Sequence, residues 1–252
     1  MLYNQRVEFV LQQLQLQSTV KVSDLSRQLQ VSVDTVRRDL KAMEQQGLIR
    51  CVRGGACMPE SRVSMSDFTG REIIHSDLKR EAARKALAYI HEGDVVALNS
   101  GTTNTVLAQE LLSLGKKFTV VTNNFAAASV LLQAPQIRLV LVGGQLDPQE
   151  RSTYGALCEQ EFAKFHPDLA LLSINAVNYR DGYPDFRMDE IGVIQLLAAR
   201  ARQVLAVMDS SKLGKCSKRQ VLTPEQVDYL VMDSRVLPEV REKYEKKGIA
   251  IV

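Results

Sequence analysis

From residue 93 onward the chain sets out a series of predominantly apolar runs: Val95–Leu98, Phe118–Val121, Ile137–Val142, Leu169–Ile174, Val204–Met208 and Tyr229–Met232. Amphipathic stretches lie between them, among them Val106–Leu114, Ala126–Leu132 and Ile191–Ala201. A strand that is apolar throughout must be covered on both faces, and a helix between consecutive strands makes them parallel. The pattern restricts this region to an open parallel-sheet α/β domain with helices on both sides. Helical spacing already begins at Leu78 and runs to about Tyr89 or Ile90.

The first segment follows a different period. Val7, Val10, Leu11 and Leu14 recur at helical spacing behind Asn4 as a candidate N-cap. Ser23 can cap a second helix that turns Leu25 and Leu29 inward, and a short turn at Gln30-Val31 leads to Ser32, a third cap. From there Val33, Val36, Leu40 and Met43 form an apolar stripe that Gly47 ends. Leu48 to Arg53 read as a strand entering the Gly54-Gly55 turn, so the segment is expected to be three short helices and a hairpin. Residues 59–77 hold Pro59, several serines and Gly70 with little periodicity, and read as a linker. The expected domains are 1–58, a linker over 59–77, and 78–252.

Charge separates the two regions further. Residues 1–62 carry nine Lys/Arg against six Asp/Glu, whereas the remaining 190 carry 23 of each sign. The excess positive charge sits in the first quarter, which points to a polyanionic partner there. No apolar run approaches the roughly 20 residues that span a bilayer, and the opening MLYNQRVEFVLQQLQ is broken by charge and is no signal peptide. A cytoplasmic protein without a membrane partner is expected. Cys51, Cys57, Cys158 and Cys216 form no CxxC pair, and His75, His91 and His166 are not spaced to share a metal with them. The thiols are expected to be buried and reduced, with no metal site.

The stretch Ser32 to Lys41 concentrates chemistry suited to DNA. With Val33, Val36, Leu40 and Met43 packed inward, Asp34, Arg37, Arg38 and Lys41 lie on or beside the opposite face. The start of this helix then presents Ser32, Asp34 and Thr35 together with Arg37 and Arg38, where a recognition helix meets base edges and phosphates. Arginine forks fit guanine or phosphate, and a hydroxyl or N–H at a helix start fits a phosphate oxygen. Arg50 and Arg53 on the following hairpin would reach the flanking backbone as a wing. A solvated charged face is the plainer reading of an Arg-Arg pair. The short helix and turn before it, and the basic Gly-Gly hairpin after it, count against that reading.

These pieces resemble the DeoR family of bacterial regulators: Arg6 at the head of the first helix, Ser32-x-x-Thr35-Val36-Arg37-Arg38-Asp39-Leu40, and Arg50-x-x-Arg53-Gly54-Gly55-Ala56. The resemblance implies a winged helix-turn-helix over about residues 3–58 that binds operator DNA.

In the larger region, Asn99-Ser100-Gly101-Thr102-Thr103 follows a strand and opens a helix, an arrangement that favours a phosphate. Thr122-Asn123-Asn124 and Gly143-Gly144 end the next two strands, and in an open parallel sheet such loops share the carboxyl edge. Asp209-Ser210-Ser211-Lys212 ends another strand and adds an ammonium. Each loop alone is ordinary: a Gly-Gly after a strand is usually a turn, and SGTT has no Walker or GxGxxG pattern. Together they describe a pocket for a small, anionic, hydroxyl-rich molecule.

The set SGTT, VVTNN, LVGG, Ser152 to Gly155 and DSSK also resembles the effector domain of the same family. That resemblance implies an architecture similar to ribose-5-phosphate isomerase and coenzyme A transferases, and an effector that is a phosphorylated sugar or related metabolite. It implies as pocket residues Ser100, Gly101, Thr102, Thr103, Thr122, Asn123, Gly143, Gly144, Glu190, Asp209 and Lys212. Glu190 enters by family position alone. Asn99 stands where the family often has aspartate, which bears on ligand specificity, and Asp181, Asp185 and Asp189 read mostly as solvated loop charges. The expectation is a repressor of sugar-metabolism genes, acting as a homodimer or homotetramer on a symmetric operator, with no cofactor and no catalytic residue. Two alternatives stay open: an isomerase-like enzyme moving a proton with Glu190, Asp209 and Lys212, and a nucleic-acid-binding protein without a small ligand.

Overall fold

The computed structural model describes residues 2–16, 19–46, 48–52, 54–57 and 68–252. Gly47, Arg53 and residues 58–67, which include the first part of the expected linker, lie outside the described residues. The chain divides into two units, residues 1–75 and 76–252.

The first unit contains α1 (Tyr3–Leu16), β1 (Thr19–Lys21), α2 (Val22–Leu29), α3 (Val33–Gln45), β2 (Arg50–Val52), β3 (Gly55–Cys57) and α4 (Phe68–Ile73). The expected hairpin is part of a three-stranded antiparallel sheet in the order β1-β3-β2. Its third member, β1, is too short to show alternation. Val7, Val10 and Leu14 of α1 pack with Leu25 and Leu29 of α2 and with Val36, Leu40 and Met43 of α3. Ile73 and Ile74, at and after the end of α4, join that core, within the stretch that the sequence reads as a linker.

Helix starts differ in how they are capped. Ser32 caps α3 as expected, its hydroxyl accepting from the Thr35 N–H at 3.1 Å. Ser23 and Asn4 lie inside α2 and α1 rather than at their caps. The inward face of α3 also departs from the expected stripe. Val33 is 39% exposed, standing at the first helical position beyond the core cluster, while the buried residues are Val36, Asp39, Leu40 and Met43.

The second unit opens with α5 (Ser76–Ala86) and continues through β4 (Val95–Leu98), α6 (Thr102–Leu111), β5 (Phe118–Thr122), α7 (Phe125–Leu131) and β6 (Ile137–Leu141). A small hairpin follows, β7 (Gln145–Asp147) with β8 (Ser152–Tyr154), and then α8 (Ala156–Phe162) and β9 (Leu169–Leu172). The chain ends through β10 (Tyr183–Asp185), α9 (Ile191–Arg200), β11 (Gln203–Val207), β12 (Arg219–Leu222), β13 (Tyr229–Val231) and α10 (Pro238–Glu245). The six apolar runs supply the six strands of one parallel sheet, ordered β6-β5-β4-β9-β11-β13.

Alternate strand residues enter opposite cores. Val96, Leu98, Val120 and Leu171 pack with residues of α5, α6 and α7, and Ala97, Val121, Leu172 and Ala206 pack with residues of α8, α9 and α10. The chain builds outward from β4 through β5 to β6, then returns and builds the other way from β9. In such a doubly wound sheet the reversal lies between β4 and β9, and the crevice beyond their carboxyl ends is where ligands bind.

Candidate nucleic-acid interface and effector site

On the first unit, α3 presents one continuous polar face. Ser32, Asp34, Arg37, Arg38 and Lys41 are exposed, Thr35 is half-buried, and Arg50 on β2 is exposed. Arg53 lies outside the described residues. Four of these side chains are partly engaged, in two pairs: the Ser32 and Thr35 hydroxyls share a hydrogen bond of 2.8 Å, and Arg37 stands 3.5 Å from Asp34. The Arg37–Asp34 pair, with side chains 68% and 81% exposed, holds Arg37 only weakly.

What orients α3 is a residue that the charge pattern alone does not distinguish. Asp39 is only 8% exposed and accepts from Arg6 of α1 through both carboxylate oxygens, Nε at 2.6 Å and Nη2 at 3.0 Å. Arg37, Arg38 and Asp39 are therefore not one charged run. The first two point to solvent, and the third fastens the helix to α1.

On the second unit, the loops after β4 and β9 meet at the reversal of the sheet. Asn99, expected as a specificity position, is fully buried and committed to the protein. Its Nδ2 donates to the Ser173 carbonyl at 3.0 Å, and its Oδ1 accepts from Ser173 N at 2.8 Å and Asn104 Nδ2 at 2.9 Å. Gly101 begins α6 with φ +122, and a Cβ there would fall 2.5 Å from Ser173 Oγ and 2.9 Å from Arg187 Nη1. Only glycine fits this turn. It also leaves the first turn of α6 without a side-chain cap.

Glu190 sits beneath the same turn, 2% exposed. Oε2 accepts from Ser100 N at 3.3 Å and Oε1 from Asn123 Nδ2 at 2.6 Å, so it joins the loops after β4 and β5. Burial pushes its carboxyl above the ordinary value, against the pull of Arg187 and the bonds from Asn123 and Ser100. Asp185, expected as a solvated loop charge, is fully buried and paired with Arg187. Burial alone would raise its carboxyl, but the guanidinium and its hydrogen bonds hold it below the usual range. Mutual neutralisation is what lets the two charges leave water. Asp181 is half-buried and Asp189 exposed.

The other expected pocket residues spread along the same edge. Thr102 and Thr103 open α6 and are buried. Thr122 turns inward, donating to the Leu98 carbonyl at 2.8 Å. Gly143 and Gly144 are exposed after β6; a Cβ on Gly144 would meet the Tyr154 carbonyl at 2.7 Å, so this glycine serves the β8 contact. Asp209, after β11, is fully buried, with Oδ1 accepting from Ser211 N at 3.1 Å and Oδ2 without a partner among the described residues. Lys212 is half-buried beside it. Direct bonds thus join Ser100, Asn123 and Glu190, and Gly101 lies against them. Gly143, Gly144, Asp209 and Lys212 belong to outlying loops.

A cleft of about 250 Å³ adjoins this cluster, with Ser152, Tyr154, Phe186, Arg187, Met188 and Glu190 among its lining residues. Arg187 is the residue that the sequence reading lacks. The available signal was Asp185-x-Arg187, since opposite charges two apart in an extended stretch share a face. Cys158 is buried, its thiol pushed up to about 11 by burial, whereas Cys51 and Cys57 are half-buried and Cys216 is exposed, contrary to the expectation of buried thiols. Among the described residues no helix is long and apolar enough to cross a membrane, and no group of three or more His, Cys, Asp or Glu could hold a metal.

Two family models match the chain: the DeoR-like helix-turn-helix domain over residues 6–62, and the DeoR C terminal sensor domain over residues 74–234. The chain belongs to the DeoR family. Among DeoR relatives, the HTH-type transcriptional repressor GlcR of Bacillus subtilis is 31% identical over 233 residues, covering 92% of this chain and 89% of that protein. The HTH-type transcriptional regulator GolR of Listeria innocua is 29% identical over 232 residues, covering 92% and 91%. A putative aga operon transcriptional repressor of Escherichia coli O157:H7 is 29% identical over 251 residues, covering 99% and 93%. Ribose 5-phosphate isomerase A of Neisseria gonorrhoeae aligns at TM-score 0.41 and 18% identity over 54% of this chain, which spans about half (53%) of that one. The DeoR family is regulatory, its members being named as transcriptional regulators and repressors rather than enzymes. This DeoR chain is a DNA-binding transcription regulator with a sensor domain.

Proposed function

We propose that this chain represses sugar-metabolism genes, reading its operator with α3 and the β2–β3 wing and responding to a phosphorylated sugar bound at the carboxyl edge of the six-stranded sheet. The observation that carries the effector reading is the start of α6 at the β4/β9 reversal. Its first-turn N–H groups have no side-chain cap, and the Thr102 and Thr103 hydroxyls stand beside them. A helix start of this kind favours an anion through its free donors and its dipole.

Ser100, Gly101, Asn123 and Glu190 shape that turn; Thr122, Gly143, Gly144, Asp209 and Lys212 line the flanking loops. On DNA, Ser32, Thr35, Arg37, Arg38 and Lys41 face the groove and its phosphates beside Asp34, and Arg50 and Arg53 the flanking backbone. Two or four copies would match a symmetric operator. The effector switches DNA binding only if it binds the DNA-competent and DNA-incompetent states unequally.

The test is a thermal-shift screen of pentose and hexose phosphates, followed by gel shifts on DNA upstream of the adjoining genes. A phosphosugar at 100 times its Kd should stabilise the chain by about 2.7 kcal/mol and change operator affinity by roughly 5–150-fold. Thr102→Val should lose that response and keep DNA binding. An equal response to the unphosphorylated sugar would refute the phosphate reading.

A further inference from the structure

Arg187 lines the cleft beside the start of α6, where an arginine would ordinarily be taken for the group that holds a phosphate. Its hydrogen bonds say otherwise. A guanidinium has five N–H donors in a fixed planar fork, and all five are in use. Nε donates to Asp185 Oδ1 at 3.0 Å. Nη1 donates to the carbonyl and the hydroxyl of Ser100, each at 3.0 Å. Nη2 donates to Asp185 Oδ2 at 2.7 Å and to the Ser173 carbonyl at 2.8 Å. The side chain is only 5% exposed, and the Asp185 carboxylate balances its charge.

We infer that Arg187 is a positioning residue for the effector loop and makes no contact with the effector's phosphate. Its fork ties the end of β9, at Ser173, to the turn after β4, at Ser100. The next residue, Gly101, passes so close that a Cβ would fall 2.9 Å from Nη1. The guanidinium therefore sets where the first N–H groups of α6 point. Asp185 aims the fork in turn, and its Oδ1 also accepts from the Arg187 backbone N–H at 2.9 Å. Lysine cannot replace this arrangement, because one ammonium with three donors cannot span Ser100, Ser173 and Asp185 together. This inference rests on the proposed effector site for its role in binding; the geometry of the latch stands apart from it.

The experiment compares the full chain with Arg187→Lys, Arg187→Met and Phe118→Leu. The last destabilises the same unit at the far, amino end of β5, where Phe118 is buried. Titration calorimetry with inorganic phosphate and glucose 6-phosphate reads affinity, and hydrogen exchange reads the amides of residues 99–105. Loss of hydrogen bonds to a charged group predicts about tenfold faster exchange over 99–105, and about tenfold weaker phosphate binding, in both Arg187 variants alike. Phe118→Leu should leave both readouts near wild type. Retained phosphate affinity in Arg187→Lys alongside its loss in Arg187→Met would make Arg187 a direct ligand and overturn the inference. So would unchanged exchange over 99–105 in a folded variant. If Arg187→Met does not fold, Arg187→Lys, which keeps a cation opposite Asp185, decides the matter against the wild type. If the wild type binds neither probe, the phosphate reading of the site fails, and exchange over 99–105 still decides whether Arg187 fixes the turn.

Discussion

The Arg6–Asp39 pair lets the attachment of α3 be tested quantitatively. Arg6→Met keeps most of the aliphatic stem but removes the two donors that meet Asp39, leaving that carboxylate against α1 without the guanidinium. The two lost bonds are short, 2.6 and 3.0 Å, and the side chains are 14% and 11% exposed. That places the pair between exposed pairs, worth about 0–1 kcal/mol, and fully buried ones, whose disruption costs about 3–5 kcal/mol. We expect a loss of about 2–4 kcal/mol. At roughly 4–8 °C per kcal/mol for a unit of this size, its melting temperature should fall by about 8–32 °C. Asp39→Leu should cost less, about 1–2 kcal/mol, because Arg6 is long enough to carry its charge back to water. The double variant Arg6→Met/Asp39→Leu should lie within about 1 kcal/mol of wild type, since two apolar side chains can replace a buried ion pair at little cost. Urea denaturation together with hydrogen exchange at the α3 amides measures all four corners of the cycle. An Arg6→Met loss below about 0.5 kcal/mol, or a double variant equal to the sum of the two singles, would show that the pair does not hold α3.

Three further outcomes are expected. Arg38→Ala should weaken operator binding by about tenfold and lower the salt slope by about one without changing the unfolding curve; an unchanged gel shift removes Arg38 from the interface. Gly101→Ala combines a backbone angle of +122° with a Cβ 2.5 Å from Ser173 Oγ, so urea unfolding should show a loss of about 2–4 kcal/mol, and a loss under about 1 kcal/mol would mean that the turn relaxes freely. Burial raises the Glu190 carboxyl above its ordinary 4.5, so its contribution to stability is full below that value and is lost as pH rises through the raised folded value. Relative to Glu190→Gln, the native chain should gain stability as the pH falls from neutrality toward 4.5, a range in which Asp185, held below 3.8, stays charged. A stability difference flat across that window would contradict the assignment.

The central sheet is legible in the sequence because its strands, apart from the edge strand β6, are covered on both faces. Burial on two sides forces runs such as Leu169–Leu172 to be apolar throughout. Ser32 is legible because a cap needs only a local hydroxyl. The strands β1, β7, β8, β10 and β12 are three or four residues long, which is too short for a period to emerge. Val33 misleads because an i, i+3 stripe extends by arithmetic one turn past the core that gives it meaning. Asp185 and Arg187 sit among charged loop residues and look solvated. Their burial depends on partners 14 and 87 residues away, at Ser173 and Ser100, which no local pattern reports.

Those separations set an order of events during synthesis. The DNA-reading unit closes on itself within its own 75 residues, its helices fastened by a pair only 33 positions apart. The turn that starts α6 is set by Ser173, Arg187 and Glu190, up to 90 residues downstream. Domains fold as units while the chain emerges, amino end first. A growing polypeptide therefore owns a finished grip on the duplex while its receptor is still half built, and a truncation between β6 and β9 would leave the first intact and the second without the residues that shape it.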